Sequence, residues 1–337
     1  MRLTTFNAFV AGMLLIMPQE SIRQQTETGS LKWGLLIPDT ATMSQAWRVP
    51  HDPTTETQGL DKDRAAKILR GFRLFMNTAG ESSRFTGGAM SCNNCHPNGG
   101  QREKALPLVG VDLAFPEYNK RAGRDFSLEE RIIGCLMRSV NATGTKNQGV
   151  LLRHENELSG ATLTAESEET QSLAAYIRWL SVGRTIPTDI PWRGHNTLPS
   201  SALIPISKLD TKLGQQLYTE NCSSCHGTDG QGVAIGDKKP GPLWGPNSWN
   251  DGAGAARTYT LAGMIRNWMP YLHPGKLSDE EAQHIAAYIT SKPRPQFPFK
   301  DKDYRKEKIP VDAVYYPQRY PTNPLVSGEP GTQPAQQ

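Results

Sequence analysis

No stretch of the 337-residue sequence is apolar for long enough to cross a bilayer as a helix, and a mean hydropathy of −0.53 excludes a polytopic membrane protein. There is no heptad period and no collagen repeat. Neither sign of charge dominates: 37 Lys and Arg against 33 Asp and Glu leave a net +4. The basic residues are spread along the chain, which excludes an extended nucleic-acid footprint but allows a local anion pocket. Cysteine is scarce, five residues in all, and odd in number. What is plentiful is glycine (31) and proline (25), about a sixth of the chain, which predicts loops in place of long regular elements. With 37% hydrophobic and 21% charged residues the chain has enough apolar material for buried cores, and its length alone predicts about two domains.

Four of the five cysteines fall into two strings of one pattern, Cys92-Asn-Asn-Cys95-His96 and Cys222-Ser-Ser-Cys225-His226. C-x-x-C-H is the attachment signal of a c-type haem. The two thiols add across the vinyl groups of one haem edge, and the histidine that follows binds the iron axially. A redox-active C-x-x-C needs no trailing histidine, and a zinc site built from two C-x-x-C pairs needs none either. A histidine in the same register at both pairs therefore predicts two covalently bound c-type haems, one per domain.

Thioether formation takes place outside the cytoplasmic membrane, which predicts an exported, periplasmic protein. Arg2 is followed by an apolar run, Ala8 to Met17, of about ten residues, the size of a signal-peptide core. No A-x-A cleavage pattern follows in Pro18-Gln19-Glu20-Ser21. Residues 1–20 thus read as a signal-like or anchor segment, and a tether through it is the one membrane contact expected.

Residues 21–60 are polar and irregular. From Asp61, Ala65, Ile68, Leu69, Phe72 and Phe75 recur at helical spacing and predict a helix that ends shortly before the first haem string. The second string has the same lead-in, with Leu213, Leu217 and Tyr218 on one face. A second repeat, Ala174-Ala-Tyr-Ile177 and Ala286-Ala-Tyr-Ile289, follows an acidic helix start in each copy, Glu166 to Glu169 and Ser278 to Glu281. Two copies of one order (opening helix, haem string, loop wall, closing helix) predict a mainly α fold of two tandem cytochrome c domains. The first spans 61–184 and the second 208–293. They are joined by a Pro-rich linker over 185–207 and followed by a tail, 294–337, with eight further prolines.

The sixth iron position separates electron carriage from chemistry. In the second copy Met269 lies 43 residues after His226, followed by Pro270, and is the expected ligand. A thioether raises the potential, which suits an electron-exit haem. Met264, His273 and Lys276 compete for the role. The first copy offers the fifth cysteine, Cys135, 39 residues after His96, with Met137 and His154 as fallbacks. On a helix, Arg131, Cys135 and Ser139 share one face with Arg138 beside them, so the thiol is expected to ionise easily. Lys120, Arg121 and Arg124 lie just upstream. Solvent or haem propionates account for some of these cations; the rest, facing Cys135, would form a pocket for a doubly charged oxyanion.

Four stretches carry a family resemblance: Ala105 to Val111, Glu129 to Asn141, Gly241 to Gly254 and Ser278 to Glu281. With them, residues 61 to about 304 resemble the di-haem thiosulfate dehydrogenases, which interconvert thiosulfate and tetrathionate. The resemblance implies His96/Cys135 ligation at a catalytic haem, substrate held by Arg121, Arg131 and Ser139, and His226/Met269 ligation at an electron-transfer haem. It also implies a redox partner such as a small cytochrome c. The position before the methionine, a lysine in some members, is Trp268, so exchange between those two adjacent ligands is not available. The rival readings are a di-haem electron carrier and a subunit of a multi-enzyme sulfur-oxidising complex. A di-haem peroxidase needs an open iron, against which Cys135 argues.

Overall fold

The computed structural model describes residues 49–317 apart from 83–84, 88, 103–104, 143–162, 184–195 and 237. The signal-like segment, most of the N-terminal extension, His154, much of the linker and the end of the tail lie outside the described residues.

Helix α1 (Lys62–Met76) starts at Asp61, whose carboxylate accepts from the N–H groups of Asp63 and Arg64 at 3.0 and 3.1 Å. Its apolar face, Ile68, Leu74 and Phe75, is buried. Helix α2 (Leu128–Arg138) opens with a reciprocal Ser127/Glu130 capping box. It is followed by α3 (Glu168–Trp179). The second half has α4 (Thr211–Asn221), capped by Asp210, then α5 (Thr258–Trp268) and α6 (Asp279–Thr290). A short helical turn holds each haem string, at Cys92–Cys95 and Ser223–His226.

The same close crossing occurs in both halves. A Cβ on Gly71 of α1 would sit 1.9 Å from the Ser172 carbonyl oxygen of α3; one on Gly214 of α4 would sit 2.0 Å from that of His284 in α6. Only glycine lets the backbones approach this far. Tyr176 and Tyr288, from the two Ala-Ala-Tyr-Ile strings, stand beside these glycines. The fold is thus mainly α with two cytochrome c units, as the repeats predict. Among the described helices none is long and apolar enough to cross a membrane.

Two features were not anticipated from sequence. A small hairpin pairs β1 (Glu117–Asn119) with β2 (Arg124–Phe126), and a short helix, Pro53–Glu56, is capped by Asp52. The halves also share one core: Ile68 and Leu136 of the first belong to the same buried cluster as Trp249 and Ile285 of the second and Phe297 of the tail. The 241–254 loop crosses onto the first unit, where Asn250 N–H donates to the Arg138 carbonyl at 3.1 Å and Asn250 Nδ2 to the Met137 carbonyl at 2.8 Å. The tail then turns back over both units. Asp312 supplies α5 with the cap its own Arg257 lacks, accepting from Tyr259 N–H at 3.1 Å and pairing with Arg257.

Candidate active site

In the first unit Cys92, Cys95, His96, Arg131, Cys135 and Ser139 line one cavity of about 370 Å³, walled by apolar side chains including Phe75, Leu108, Leu136 and Ile177. The helical spacing that puts Arg131, Cys135 and Ser139 on one face of α2 accounts for their convergence. The His96 Nδ1 lies 2.7 Å from the Leu106 carbonyl oxygen. That contact makes Nδ1 the protonated nitrogen and leaves Nε2 for iron. Burial lowers the His96 pKa, so the ring is the neutral, ligating form. It pushes the Cys92 and Cys95 thiols up to about 11 and about 12. A c-type haem fits this donor set: two thiols, a tautomer-fixed imidazole and a third sulfur around one apolar cavity.

The second unit repeats the proximal part. Cys222, Cys225 and His226 share one helical turn, and burial pushes the His226 pKa down to about 4, the Gly241 main chain working against it. His226 Nδ1 is buried and makes no hydrogen bond of ordinary geometry. Leu106 precedes Pro107 as Gly241 precedes Pro242, so an x-Pro-Leu tripeptide after each haem string brings its main chain towards the histidine, within hydrogen-bond distance only at His96. Met269 caps the end of α5, its N–H donating to the Ile265 carbonyl at 3.1 Å. Of its competitors, Met264 is buried within α5, His273 is exposed, and Lys276 reaches Asn221 Oδ1 on the surface. Met137 is buried in the core.

A second, wider groove adjoins the cavity and shares Glu117, Arg131, Cys135 and Ser139 with it; Lys120, Arg121, Arg124, Arg138, Arg257, Lys306 and Lys308 also line it. The hairpin places Arg121 here. Asn119 Oδ1 accepts from the Arg121 and Ala122 N–H groups, and Gly123, at φ +68°, closes the turn onto the Asn119 carbonyl.

The cations differ in what they have left to give. Arg138 is spent: it forms a two-point ion pair with buried Asp303 at 2.8 and 2.7 Å and lies 3.8 Å over the Phe297 ring. Arg124 pairs with Glu130 at 2.7 Å. Arg121 uses three of its N–H groups on Tyr304 Oη, Gly252 O and Ala253 O, leaving two of its five donors for a ligand. Arg131 is half-exposed and only 3.7 Å from Glu117.

One expectation fails. The Cys135 thiol does not ionise more easily than usual: its burial raises the pKa, outweighing the pull of Arg131, Arg121 and Arg138.

Residues 210–289 match the family described as cytochrome c oxidase, cbb3-type, subunit III. The chain is 34% identical over 232 residues to a thiosulfate dehydrogenase of Stutzerimonas stutzeri, covering 68% of each. It is 36% identical over 237 residues to that of Allochromatium vinosum, covering 68% of this chain and 79% of the relative. Among solved structures it resembles the as-isolated thiosulfate dehydrogenase (TsdBA) of Marichromatium purpuratum, with a TM-score of 0.62 and 30% identity. That match covers 77% of this chain but only 53% of the other. A haem-binding string in a cytochrome c fold, together with a third of positions shared across two thirds of curated relatives, assigns this chain to the thiosulfate dehydrogenase family of c-type cytochromes.

Proposed function

We propose that the protein couples two thiosulfate ions to tetrathionate at a His96/Cys135 haem site and passes the electrons on through a second haem, held by Cys222, Cys225 and His226 with Met269. One observation carries this reading: Cys135 lies where the haem cavity and the cationic groove meet. The two units, 61–184 and 208–293, then divide chemistry from electron exit. Maturation and turnover belong to the periplasm, and a small cytochrome c type acceptor is the fitting partner.

When bound, the haem would supply a one-electron acceptor and an iron able to keep Cys135 as thiolate, against the burial that favours the protonated thiol. The remaining steps fall to the chain. Arg131, the two free donors of Arg121 and Ser139 bind the sulfonate oxygens of thiosulfate and aim its sulfane sulfur at Cys135. A sulfur–sulfur bond forms between Cys135 and that sulfur, Cys–S⁻ + S2O3²⁻ giving Cys–S–SSO3⁻ and two electrons, one for each of the two proposed haems, which would pass them to the external acceptor. A second thiosulfate attacks the sulfane sulfur of the adduct, the Cys135 thiolate leaves, and S4O6²⁻ is released. The cations offset the repulsion between the dianions. At an effective dielectric near 20, each contact at about 4 Å contributes on the order of 4 kcal/mol before desolvation.

A steady-state assay with thiosulfate and an artificial acceptor, run in reverse with tetrathionate, tests the reading. Cys135→Ser should keep both covalent haems and lose turnover by at least about a hundredfold. Retained activity, or no added mass on the Cys135 peptide of substrate-treated enzyme, moves the chemistry elsewhere.

A further inference from the structure

Arg102 is a buried cation with no paired anion among the described residues. Only 5% of it is exposed, its Nη1 has no hydrogen-bond partner, and it forms no ion pair with a carboxylate among the described residues. A buried guanidinium left unpaired is costly and normally has a counter-ion. What Arg102 does have is Tyr271. The guanidinium lies 3.6 Å over the Tyr271 ring, and Nη2 donates to the Tyr271 carbonyl. The far end of the same tyrosine is held too, its hydroxyl donating to Asn98 Oδ1 at 2.7 Å, with Asn98 in the left-handed conformation at φ +56°.

The positions of these residues matter. Arg102 and Asn98 lie within six residues of His96, in the first unit, and Tyr271 lies two residues after Met269, in the second. Arg102 lines neither the first haem cavity nor the cationic groove at Cys135. A c-type haem carries two propionate carboxylates, and the donor set at Cys222, Cys225 and His226 fits such a haem.

We propose that Arg102 reaches out of the first unit to bind a propionate of the haem in the second, and that through Tyr271 it fastens the Met269 loop to the first unit. The inference rests on the reading that a second haem is bound with Met269 as ligand. Arg102 is then a positioning residue for electron exit. Its charge favours the reduced state of the second haem, and its hold on Tyr271 fixes the thioether.

Spectroelectrochemical titration of the full-length di-haem protein tests this, because the Cys-ligated and Met-ligated haems are followed separately by their spectra. In Arg102→Gln the potential of the second haem should fall by about 59 mV, a tenfold shift in its one-electron equilibrium. Its ferric thioether-to-iron charge-transfer band should weaken, and the first haem should be unaffected. Arg102→Lys should restore most of the potential. Tyr271→Phe, which keeps the ring and the carbonyl beneath Arg102 and loses only the bond to Asn98, should leave the potential unchanged. An unchanged second-haem potential in Arg102→Gln, or a shift confined to the first haem, overturns the proposal. A wild-type protein with one haem, or with no thioether-ligated haem, instead overturns the reading beneath it, and that is visible before any variant is made.

Discussion

The Arg138–Asp303 pair should be worth more to the fold than any other ion pair described above, and its removal can be worked out in advance. The side chain of Asp303 is fully buried and that of Arg138 is 10% exposed. Both carboxylate oxygens are used by the fork, and Oδ2 also accepts from the Tyr316 hydroxyl. In Asp303→Leu the Arg138 guanidinium stays buried against Phe297 with only the Gly252 carbonyl for company, at 3.2 Å. Removing one partner of such a pair costs about 3–5 kcal/mol. The stranded Tyr316 hydroxyl adds about 1 kcal/mol. Replacing both charges by apolar side chains of similar size removes the stranded cation, so Arg138→Met/Asp303→Leu should be more stable than Asp303→Leu alone. Denaturant unfolding of the four proteins of this cycle, at equal haem content, measures the coupling. A single variant within about 1 kcal/mol of wild type, or a double variant that merely sums the singles, refutes the reasoning.

Adding one methyl at either helix crossing is expected to be severe. Gly71→Ala and Gly214→Ala each drive a Cβ to within 2.0 Å of a carbonyl oxygen, so each should destabilise its unit by about 3 kcal/mol, read as a lower thermal midpoint with reduced haem loading. Arg131→Gln should raise KM for thiosulfate about tenfold, the loss of roughly 1.4 kcal/mol of charge-assisted binding, without altering the haem spectra. Acid should loosen the cysteine helix. Burial acts upward on Glu129, but its 2.7 Å bond to Arg178 of α3 and its helix-start hydrogen bonds bring its pKa below the ordinary 4.5. A carboxylate with a lowered folded-state pKa gives its full stabilisation above about pH 4.5 and loses it as pH falls further. Glu129→Gln should therefore flatten the acid limb of a stability–pH curve; an unchanged limb would assign that loss to other groups.

The parts that could be read from sequence are those whose signals are local. Both haem strings, the Asp61 and Asp210 helix starts, and the face shared by Arg131, Cys135 and Ser139 depend on residues a few positions apart. The closing helix packs on the opening one because Gly71 meets Tyr176 and Gly214 meets Tyr288, and the Ala-Ala-Tyr-Ile repeat hinted at that. What could not be read is which charges are already taken. Arg138 looks like a substrate cation until Asp303, 165 residues away, is placed beside it. Arg121 likewise owes its orientation to Gly252, Ala253 and Tyr304. The direction of the Cys135 pKa escaped for a related reason: adjacent arginines are visible in the sequence, whereas depth of burial is not. The hairpin that presents Arg121 was within reach, since Asn119 and Gly123 are turn residues at a suitable spacing.

The path of the tail has a consequence for biosynthesis. A chain made from its N-terminus releases the cysteine helix long before Asp303, Tyr304 and Tyr316 emerge. Until then Arg138 has no anion and Arg121 no hydroxyl to lean on, so the N-terminal cytochrome is born with its sulfur pocket unbraced. Haem can be attached to the first string early, but the cationic groove beside Cys135 is finished last, by the stretch of polypeptide around residue 303. A copy truncated before that point would carry its haem and lack a formed mouth.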